Sequence, residues 1–349
     1  MEKELLLLSA CPPPEGGIAT WTLEYLDYCS THNYSVDMVN IAMTGSRRDS
    51  GVNNNRNYID ELFRTRNIFR ELKYYYKNNN YKICHINSSC SRFGIIRDYI
   101  SIRVAKKRNS KVAFHCHCHV PNQVHDRFQS YFFKKICRDS DAVIVLNNKS
   151  KEFVARFAPK QLFLMPNFID IGQHCNKRLI RHEIKKILYV GHVIRQKGID
   201  IIIEVARQYP NIDFILVGPI DKYYSSLSIP NNIRMLGAKK HDEVVKYMVD
   251  SDVFLFPSFS EGFSISLLEA MFYGLPIIAS DVGANKDMIS EKGGIILDNN
   301  DSKCVSSALS TICDSKTREN MSSWNHNRVI EMYSKKVVLD LLFRIYDNL

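Results

Sequence analysis

Short apolar runs alternate with amphipathic helical patterns along the whole chain, and this alternation limits the possible folds more than any other feature. Twelve such runs occur, at residues 4–9, 35–41, 82–86, 111–116, 142–146, 161–165, 187–190, 213–217, 232–236, 253–256, 276–279 and 294–297. Helical patterns lie between them, most clearly at 18–30, 57–77, 92–108, 125–138, 199–208, 241–250, 264–273 and 303–314. Strands that alternate with helices predict parallel sheets covered by helices.

The runs fall into two series that meet in the polar stretch 170–186. A chain of 349 residues is long enough for two domains. We therefore predict two doubly wound α/β domains, over residues 1–170 and 171–332. Ligands of such domains bind at the carboxyl ends of the strands, so a cleft between the domains is expected. The polar, Gly/Asn-rich stretch 43–57 predicts a mobile loop.

The net charge is distributed unevenly between the two halves. Residues 1–170 carry 25 basic and 16 acidic side chains, whereas residues 171–349 carry 22 and 21. Clusters of Arg and Lys on predicted helices are usually solvated faces, but they also suit anionic lipid headgroups. These clusters contain Arg64, Arg66, Arg70 and Lys73, and Arg103, Lys106, Lys107 and Arg108. No nucleic-acid-binding motif accompanies the charge, so we do not expect a nucleic-acid partner.

Two further features concern the cellular compartment. The N-terminal apolar run is short with acidic flanks, unlike a signal peptide, and no run reaches the ~20 apolar residues of a membrane span. The ten cysteines show no framework spacing and are expected to be reduced. We expect a cytoplasmic protein that can attach peripherally to the inner face of the cell membrane.

The stretch AFHCHCHV at 113–120 has the composition of a metal site. If the strand that begins near residue 111 continues, its three histidines share one face and its two cysteines the other. Ligands on opposite faces cannot converge on one ion, and no CxxC or HExxH spacing supports a site elsewhere. The alternative is one functional histidine at a strand end, with neighbours that fill space. The candidates are His115, His117 and His119.

Residues 257–285 are the most informative part of the sequence. A strand is followed by a loop that contains Glu261 and Gly262, and a helix then begins near Ser264. The start of a helix carries unpaired N–H groups and a positive dipole end, which suits phosphate. Glu261 and Glu269 flank this junction, and a carboxylate can accept two hydrogen bonds from neighbouring sugar hydroxyls. The local chemistry therefore favours a phosphate together with a polyol.

Two other loops follow predicted strands. The stretch 187–200 places His192, Arg195 and Lys197 just after a strand, where basic side chains suit a diphosphate. Gly16 and Gly17 precede the first helix, where glycines let a backbone approach a ligand closely, although a simple turn explains them equally well.

Taken together, these motifs resemble those of retaining glycosyltransferases of family 4 (glycosyltransferases group 1), which have the GT-B fold. The resemblance covers nearly the whole chain and is strongest over 187–285. In chain order, the matching motifs are Gly16-Gly17-Ile18, Pro166-Asn167, the strand and loop at 189–198, the E-x7-E pair from Glu261 to Glu269, and Gly274-Leu275-Pro276. The resemblance implies an α/β GT-B fold, with two Rossmann-like doubly wound domains facing across a cleft. A C-terminal helix at about 333–349 is expected to pack back on the N-terminal domain.

The resemblance also implies roles for the residues of the C-terminal domain. Glu269 should bind the ribose hydroxyls of a nucleotide, and Glu261 should hold hydroxyls of the donor sugar. Gly262, Phe263 and Ser264 belong to the same donor-binding loop, where Phe263 and Ser264 should present backbone N–H groups to the sugar or phosphate.

The diphosphate should be neutralised by Lys197, with Gly16 and Gly17 facing it from the N-terminal domain. The family usually has an arginine five residues before this lysine, and here that place is His192. Arg195 lies between the two, so either His192 or Arg195 can replace the missing arginine. His192 is only partly charged near neutral pH, which leaves the choice open.

For the HCHCH stretch, the family places a histidine at the end of this strand, near the reacting sugar carbon. His117 matches best and His115 is the alternative, whereas His119 is expected to be a surface or packing residue. The catalytic residues implied are therefore His117, Glu261 and Lys197.

The implied reaction moves a sugar from a nucleoside-diphosphate sugar to an acceptor hydroxyl with retention of configuration. No metal or other cofactor is expected, because the protein supplies the positive charge. Chains of this family often build bacterial surface polysaccharide, such as O-antigen, lipopolysaccharide, capsule or exopolysaccharide, on a saccharide acceptor that can be linked to polyprenyl diphosphate. Two alternatives remain: other chemistry on the same fold, such as a nucleotide-sugar epimerase or a phosphorylase, and a non-catalytic binding protein.

Overall fold

The computed structural model describes residues 2–13, 16–42, 58–172 and 178–349, which form two compact α/β units. The N-terminal unit contains Met1–Asn167 and Lys335–Leu349, and the C-terminal unit contains Phe168–Ser334. The sequence predicts boundaries near 170 and 332. The loop predicted at 43–57 lies outside the described residues.

The N-terminal unit is built on a parallel sheet with the strand order β2-β1-β3-β4-β5-β6. Its strands are β1 (Glu2–Ser9), β2 (Val36–Asn40), β3 (Asn80–Ser88), β4 (Lys111–Cys116), β5 (Ala142–Val145) and β6 (Leu162–Leu164). Its helices are α1 (Gly17–Thr31), α2 (Tyr58–Asn78), α3 (Gly94–Lys106), α4 (Val120–Gln123), α5 (Arg127–Asp139), α6 (Asn148–Ala155) and α14 (Lys335–Asp347). The strand order reverses between β1 and β3, which makes their carboxyl ends the expected ligand-binding edge.

The C-terminal unit repeats this architecture, with the strand order β12-β11-β10-β7-β8-β9. Its strands are β7 (Lys186–Val190), β8 (Asp213–Val217), β9 (Ile233–Met235), β10 (Val253–Phe256), β11 (Ile277–Ser280) and β12 (Gly294–Leu297). Its helices are α7 (Ile199–Gln208), α8 (Lys222–Ser225), α9 (His241–Asp250), α10 (Ile265–Phe272), α11 (Asn285–Ile289), α12 (Ser302–Thr311) and α13 (Ser315–Met332). Here the order reverses between β7 and β10.

Helices cover both sheets, which explains the mainly apolar sequences of strands β5, β10 and β11. Every residue of β5, β10 and β11 is buried. A parallel strand covered on both faces is apolar at nearly every position, so its sequence does not alternate between apolar and polar residues. The predicted α/β class and its two doubly wound domains are confirmed. None of the helices described in the structure combines the length and the apolar character needed to cross a bilayer.

Helix α13 buries the polar side chains of Arg318, Ser322 and Asn325, together with the apolar Met321 and Val329. The guanidinium of Arg318, which is 1% exposed, donates to the carbonyls of Ile312, Cys313, Arg181 and His182 at 2.6 to 3.0 Å. Asn325 donates through Nδ2 to the carbonyls of Leu275 and Gly293 at 2.8 and 2.7 Å. These bonds tie α13 to loops that would otherwise have buried, unpaired carbonyls.

The last helix, α14, belongs to the N-terminal unit and packs on α1. Lys335 Nζ lies 2.7 Å from Glu24 and 2.6 Å from Asp27, and the Tyr28 hydroxyl donates to Asp340 at 2.5 Å. Phe343 stacks on Tyr34 with ring centroids 4.0 Å apart. The contact is therefore apolar with charged pairs at its edge.

The role of Arg318 gives a stability prediction. Arg318→Met keeps the length of the side chain but leaves four carbonyls without their donor. We expect the free energy of unfolding of the C-terminal unit to fall by about 2 to 4 kcal/mol. The measurement is the midpoint of unfolding in urea, which should decrease. Arg207→Met, at an exposed position on α7, is the matched control and should change it little. Equal midpoints for the two variants would contradict this account of α13.

Candidate active site

The clearest candidate site lies at the reversal of strand order in the C-terminal unit. Strands β7 and β10 are neighbours, so the loops that follow them leave the same edge of the sheet. The N–H of Phe259, in the loop after β10, donates to the carbonyl of Gln196, in the loop after β7, at 2.9 Å. This bond joins the two loops that contain the predicted donor-binding residues.

The joined loops bring Lys197 and Glu261 together. Lys197 Nζ lies 2.6 Å from Glu261 Oε1, and the two side chains are 26% and 10% exposed. Such a close, largely buried pair is stronger than a surface ion pair, but it still has water-facing atoms available to a ligand. The sequence predicts both residues for the site, and the structure places them in contact.

Two glycines allow the loops to pack this closely. Gly198 has φ +77°, and a Cβ there would lie 2.0 Å from the carbonyl oxygen of Pro257. Gly283 has φ +56°, and its Cβ would lie 2.4 Å from the carbonyl oxygen of Glu261. A side chain at either position would meet backbone atoms, so the geometry of the Glu261 loop requires glycine.

Helix α10 begins directly after this loop. Ser264 is its N-cap, and its Oγ accepts from the N–H of Leu267 at 3.2 Å. Phe263 is buried with its ring against Tyr333, and the carbonyl of Gly262 accepts from the N–H of Ala284 at 3.0 Å. The side chains therefore fix the loop, and the backbone at the helix start carries the positive dipole end.

Glu269 lies further along α10 with a largely buried side chain. Its Oε1 is 3.5 Å from Nδ1 of His241, at the start of α9, and its side chain is 18% exposed. Burial raises the pKa of Glu269, whereas the charge of His241 lowers it. Sequence reasoning missed His241, and no local pattern could have indicated it, because the contact joins two separate helices.

The two candidates for the missing arginine differ in their surroundings. His192 is half-buried, and burial and the charge of Lys197 lower its pKa. Arg195 is 87% exposed, and its Nε lies 3.3 Å from Asp200. His192 is therefore the less exposed of the two, and its lowered pKa makes it mainly neutral at neutral pH.

The N-terminal unit has a second cluster where its strand order reverses. Nε2 of His117 lies 2.9 Å from Oδ1 of Asn87, at the end of β3, and Nδ2 of Asn87 donates to Ser9 Oγ at 2.8 Å. The ring of His115 lies next to that of His117, with centroids 3.9 Å apart. Sequence reasoning missed Asn87, although a polar side chain at the carboxyl end of a central strand is a detectable signal.

The HCHCH stretch is only partly a strand. Strand β4 ends at Cys116. His115 and His117 share a face, as predicted, with their rings side by side. His119 lies outside the strand, directly before α4. His119 is half-buried, and burial lowers its pKa. Cys116 lies in the apolar core on the opposite face. Over the described residues, no group of three or more Asp, Glu, His and Cys side chains is placed to hold a metal ion.

Gly16 and Gly17 precede and begin α1. A Cβ at either position would meet no described atom within 4 Å. Crowding within the described protein therefore does not require glycine here, and the reason that the sequence suggests, close approach of a ligand, stays a prediction.

Comparison with known proteins finds a family model that matches the part of the chain containing these loops. Residues 170–328 match the family described as "Glycosyl transferases group 1". The match covers the C-terminal unit, including both loops of the candidate site.

Curated relatives are distant and share part of their length. A human protein that is a subunit of phosphatidylinositol N-acetylglucosaminyltransferase is 25% identical over 60% of this chain and 46% of its own length. A galactosyltransferase of Escherichia coli, "UDP-Gal:alpha-D-GlcNAc-diphosphoundecaprenol alpha-1,3-galactosyltransferase", is 24% identical over 58% of this chain and 59% of its own. The chain thus spans about half the length of the curated relatives that it matches.

Solved structures match over nearly the entire chain. Sucrose-phosphate synthase from Thermosynechococcus elongatus has a TM-score of 0.79 at 18% identity, with 99% of each chain covered. HepE from Anabaena, in complex with UDP, has a TM-score of 0.74 at 14% identity, with 99% of this chain and 100% of that chain covered. The fold is therefore the two-domain, Rossmann-like GT-B fold. The family match and these neighbours together support a GT-B glycosyltransferase.

The close backbone approach at Gly283 can be tested directly. Gly283→Ala should displace the Glu261 loop. It should lower the free energy of unfolding by about 1 to 3 kcal/mol more than the same substitution at a glycine whose Cβ would meet no other described atom. Gly237→Ala is the control, because Gly237 also has a positive φ, +70°, but a Cβ there would meet no described atom within 4 Å. The measurement is the urea midpoint of the C-terminal unit. A smaller loss for Gly283→Ala than for Gly237→Ala would contradict the proposed packing.

Proposed function

We propose that the protein is a glycosyltransferase that moves a sugar from a nucleoside-diphosphate sugar to an acceptor hydroxyl, with retention of anomeric configuration. The observation that carries this proposal is the Lys197–Glu261 pair, 2.6 Å apart, beside the N-terminus of α10. One cation, one carboxylate and a helix start form a site for a phosphate that is bonded to a polyol.

The two carboxylates divide the recognition of the donor. One carboxylate oxygen of Glu261 contacts Lys197, the cation that would bind the diphosphate. The other carboxylate oxygen of Glu261 therefore suits a hydroxyl of the transferred sugar. Glu269 is the fifth residue of α10, a little more than one turn beyond the helix start, and suits the ribose hydroxyls. Burial raises the pKa of Glu269, and two hydroxyl donors would favour its charged form when a nucleotide binds.

Departure of the diphosphate develops negative charge at the site. Lys197 and the start of α10 lie where they can stabilise that charge without rearrangement. His192, mainly neutral, would contribute a hydrogen bond rather than a full charge. We assign no contact with the diphosphate to Arg195, which is exposed and pairs with Asp200. We assign His117 to the reacting sugar and Gly16 and Gly17 to close approach of the donor. No metal enters this proposal.

The acceptor proposed is a saccharide, which can be linked to polyprenyl diphosphate, in the synthesis of a bacterial surface polysaccharide such as O-antigen or capsule. The match to the E. coli galactosyltransferase, whose name specifies a diphosphoundecaprenol-linked acceptor, supports this class of acceptor. A Klebsiella pneumoniae relative named "Uncharacterized 41.2 kDa protein in cps region" is 25% identical over 64% of this chain and 66% of its own length.

Binding of the nucleotide separates the roles of Lys197 and Glu269. UDP, GDP, ADP and inorganic pyrophosphate would be titrated calorimetrically into wild-type protein and variants. Lys197→Ala should lower the affinity for the preferred nucleoside diphosphate and for pyrophosphate alike, by about tenfold to a hundredfold. Glu269→Gln should lower only the affinity for the nucleotide, because pyrophosphate has no ribose. Lys246→Ala, at an exposed position on α9, is the control for lost charge.

The proposal would be contradicted if the wild type bound none of the four probes. It would also be contradicted if Lys197→Ala bound the nucleotide and pyrophosphate with the affinity of the wild type. Once the donor is known, Glu261→Ala and Lys197→Ala should each abolish sugar transfer while the far-ultraviolet circular dichroism stays that of the wild type.

We further propose that the N-terminal unit binds anionic membrane surfaces through the exposed side of α2. Phe63 and Tyr74 are 56% and 65% exposed, and Arg66, Arg70 and Lys77 are exposed between or beside them at helical spacing. Aromatic rings interleaved with basic side chains suit the headgroup region of a bilayer. Arg64, although part of the sequence cluster, is half-buried and bonds to the carbonyl of Ile41 and to Glu61.

Vesicle sedimentation tests the membrane proposal. The wild type should bind phosphatidylglycerol vesicles at low salt and dissociate at high salt. Replacement of Arg66, Arg70 and Lys77 by Gln should weaken binding about a hundredfold, at about 1 kcal/mol for each charge. The control replaces three exposed lysines of the C-terminal unit, Lys222, Lys246 and Lys303, by Gln. Equal losses in the two triple variants, or no binding by the wild type at low salt, would contradict the proposal.

A further inference from the structure

A continuous series of hydrogen bonds connects His117 to the last helix of the chain. It passes from His117 to Asn87, from Asn87 to His85 at 2.8 Å, and from His85 to the hydroxyl of Tyr346 at 2.7 Å. Asn87, His85 and Tyr346 are buried. A buried network of this kind has to satisfy every donor and acceptor, so the direction of each bond can be worked out.

The direction of the hydrogen bonds is fixed at one end of the network by a carbonyl group, which can only accept a hydrogen bond. The hydroxyl of Thr22 donates to the carbonyl of Ile18 at 2.8 Å. Thr22 has no second hydrogen, so the hydroxyl of Ser9, 2.6 Å away, donates to Thr22. Ser9 Oγ must then accept from Asn87, and the atom of Asn87 that faces Ser9 is the amide nitrogen.

Asn87 Oδ1 consequently faces both imidazoles, His85 at 2.8 Å and His117 at 2.9 Å, each through Nε2. An amide oxygen only accepts, so each histidine donates an Nε2–H. In a neutral ring the other nitrogen then has a lone pair. For His85 this is Nδ1, which accepts from the hydroxyl of Tyr346, and Tyr346 in turn accepts from Tyr25 at 3.3 Å.

We propose that Asn87 and Tyr346 are positioning residues that hold His117 in its neutral Nε2–H form and leave its Nδ1 as a hydrogen-bond acceptor for a ligand hydroxyl. Asn87 acts directly, and Tyr346 acts from α14 by fixing the tautomer of His85 and so the orientation of Asn87. The assignment of the tautomer depends only on this network, whereas its catalytic meaning rests on the proposed function.

The surroundings of His117 agree with a neutral ring. Burial and the charge of His85 hold the pKa of His117 at about 3, and burial holds that of His85 at about 4. The titratable groups that face His117 are His85 and His115, and the pKa of His115 is also lowered, mainly by burial. An uncharged histidine cannot stabilise a diphosphate, but its acceptor nitrogen can orient a sugar hydroxyl.

The direct test is the tautomer itself. Long-range proton–nitrogen spectra of the full-length protein labelled with ¹⁵N-histidine report the state of each ring, and His85→Gln and His117→Gln assign the signals. Both rings should be neutral Nε2–H tautomers, unchanged between about pH 8 and about pH 5. A charged His117, or an Nδ1–H tautomer of either ring, would overturn the proposal even if nucleotide binds as expected.

Two variants test the positioning roles. Asn87→Asp places a carboxylate beside both Nε2 atoms and should raise the pKa of His117, because a neighbouring negative charge favours the charged ring. Titration of His117 at a higher pH than in the wild type is the expected result. Tyr346→Phe removes the donor to His85 Nδ1 without removing the ring. It should change the tautomer signals of His85 and lower donor turnover about tenfold, with unchanged affinity for the nucleotide.

Matched controls separate positioning from docking of the helix. Tyr28→Phe removes a hydrogen bond between α1 and α14, to Asp340, and Tyr34→Phe removes a hydroxyl from a ring that stacks on Phe343 of α14. Both should keep the histidine signals and the turnover of the wild type. Tyr346→Phe with the same signals and turnover as these controls would refute the role of Tyr346. Weak nucleotide binding in the wild type would instead count against the proposed function and leave the tautomer result unaffected.

Discussion

Close backbone packing between loops is the constraint on which the candidate donor site depends. The loops after β7, β10 and β11 approach so closely that Gly198 and Gly283 have no room for a side chain. This packing places Glu261 against Lys197 and starts α10 at Ser264. The positions of one cation, two carboxylates and a helix start therefore follow from the sheet edge and not from flexible side chains, which is the arrangement expected of a preorganised site.

The second organising feature is the difference in charge between the two clusters. The C-terminal cluster contains a formal ion pair, and its histidine, His192, has a lowered pKa beside Lys197. The N-terminal cluster contains three neighbouring histidines whose pKa values are all lowered, chiefly by burial. A diphosphate needs the first environment, whereas neutral hydroxyls are compatible with the second. The two clusters therefore differ in the kind of ligand group that each suits, a charged group in the C-terminal unit and neutral hydroxyls in the N-terminal unit.

The sequence predicted the strands well and the polar contacts poorly, for physical reasons. Buried parallel strands are mainly apolar, and all twelve apolar runs correspond to strands. Helix α13 was missed because its inward face contains Arg318, Ser322 and Asn325, which interrupt the apolar periodicity that marks other helices. Short helices such as α4 and α8 have too few residues to show any period.

For the candidate site too, some features could be predicted from the sequence and others could not. Lys197, Glu261 and Glu269 could be predicted because they belong to motifs with fixed spacing along the chain. The pairing of His241 with Glu269 and the bonds that join Asn87 to Tyr346 could not, because each connects residues far apart in sequence. The difference in exposure between the half-buried His192 and the exposed Arg195 also could not be predicted, because it depends on the loop geometry.

Release of nucleotide from sugar donors tests the central claim most directly. Purified protein would be incubated with UDP-, GDP-, ADP- and CMP-sugars, with and without EDTA, and free nucleotide would be quantified. The account predicts slow release from one nucleoside-diphosphate sugar, at the same rate in EDTA, because Lys197 and the start of α10 supply the positive charge. Release that EDTA abolishes would contradict the role given to these groups, and no release together with no binding of any donor would contradict the assignment as a transferase.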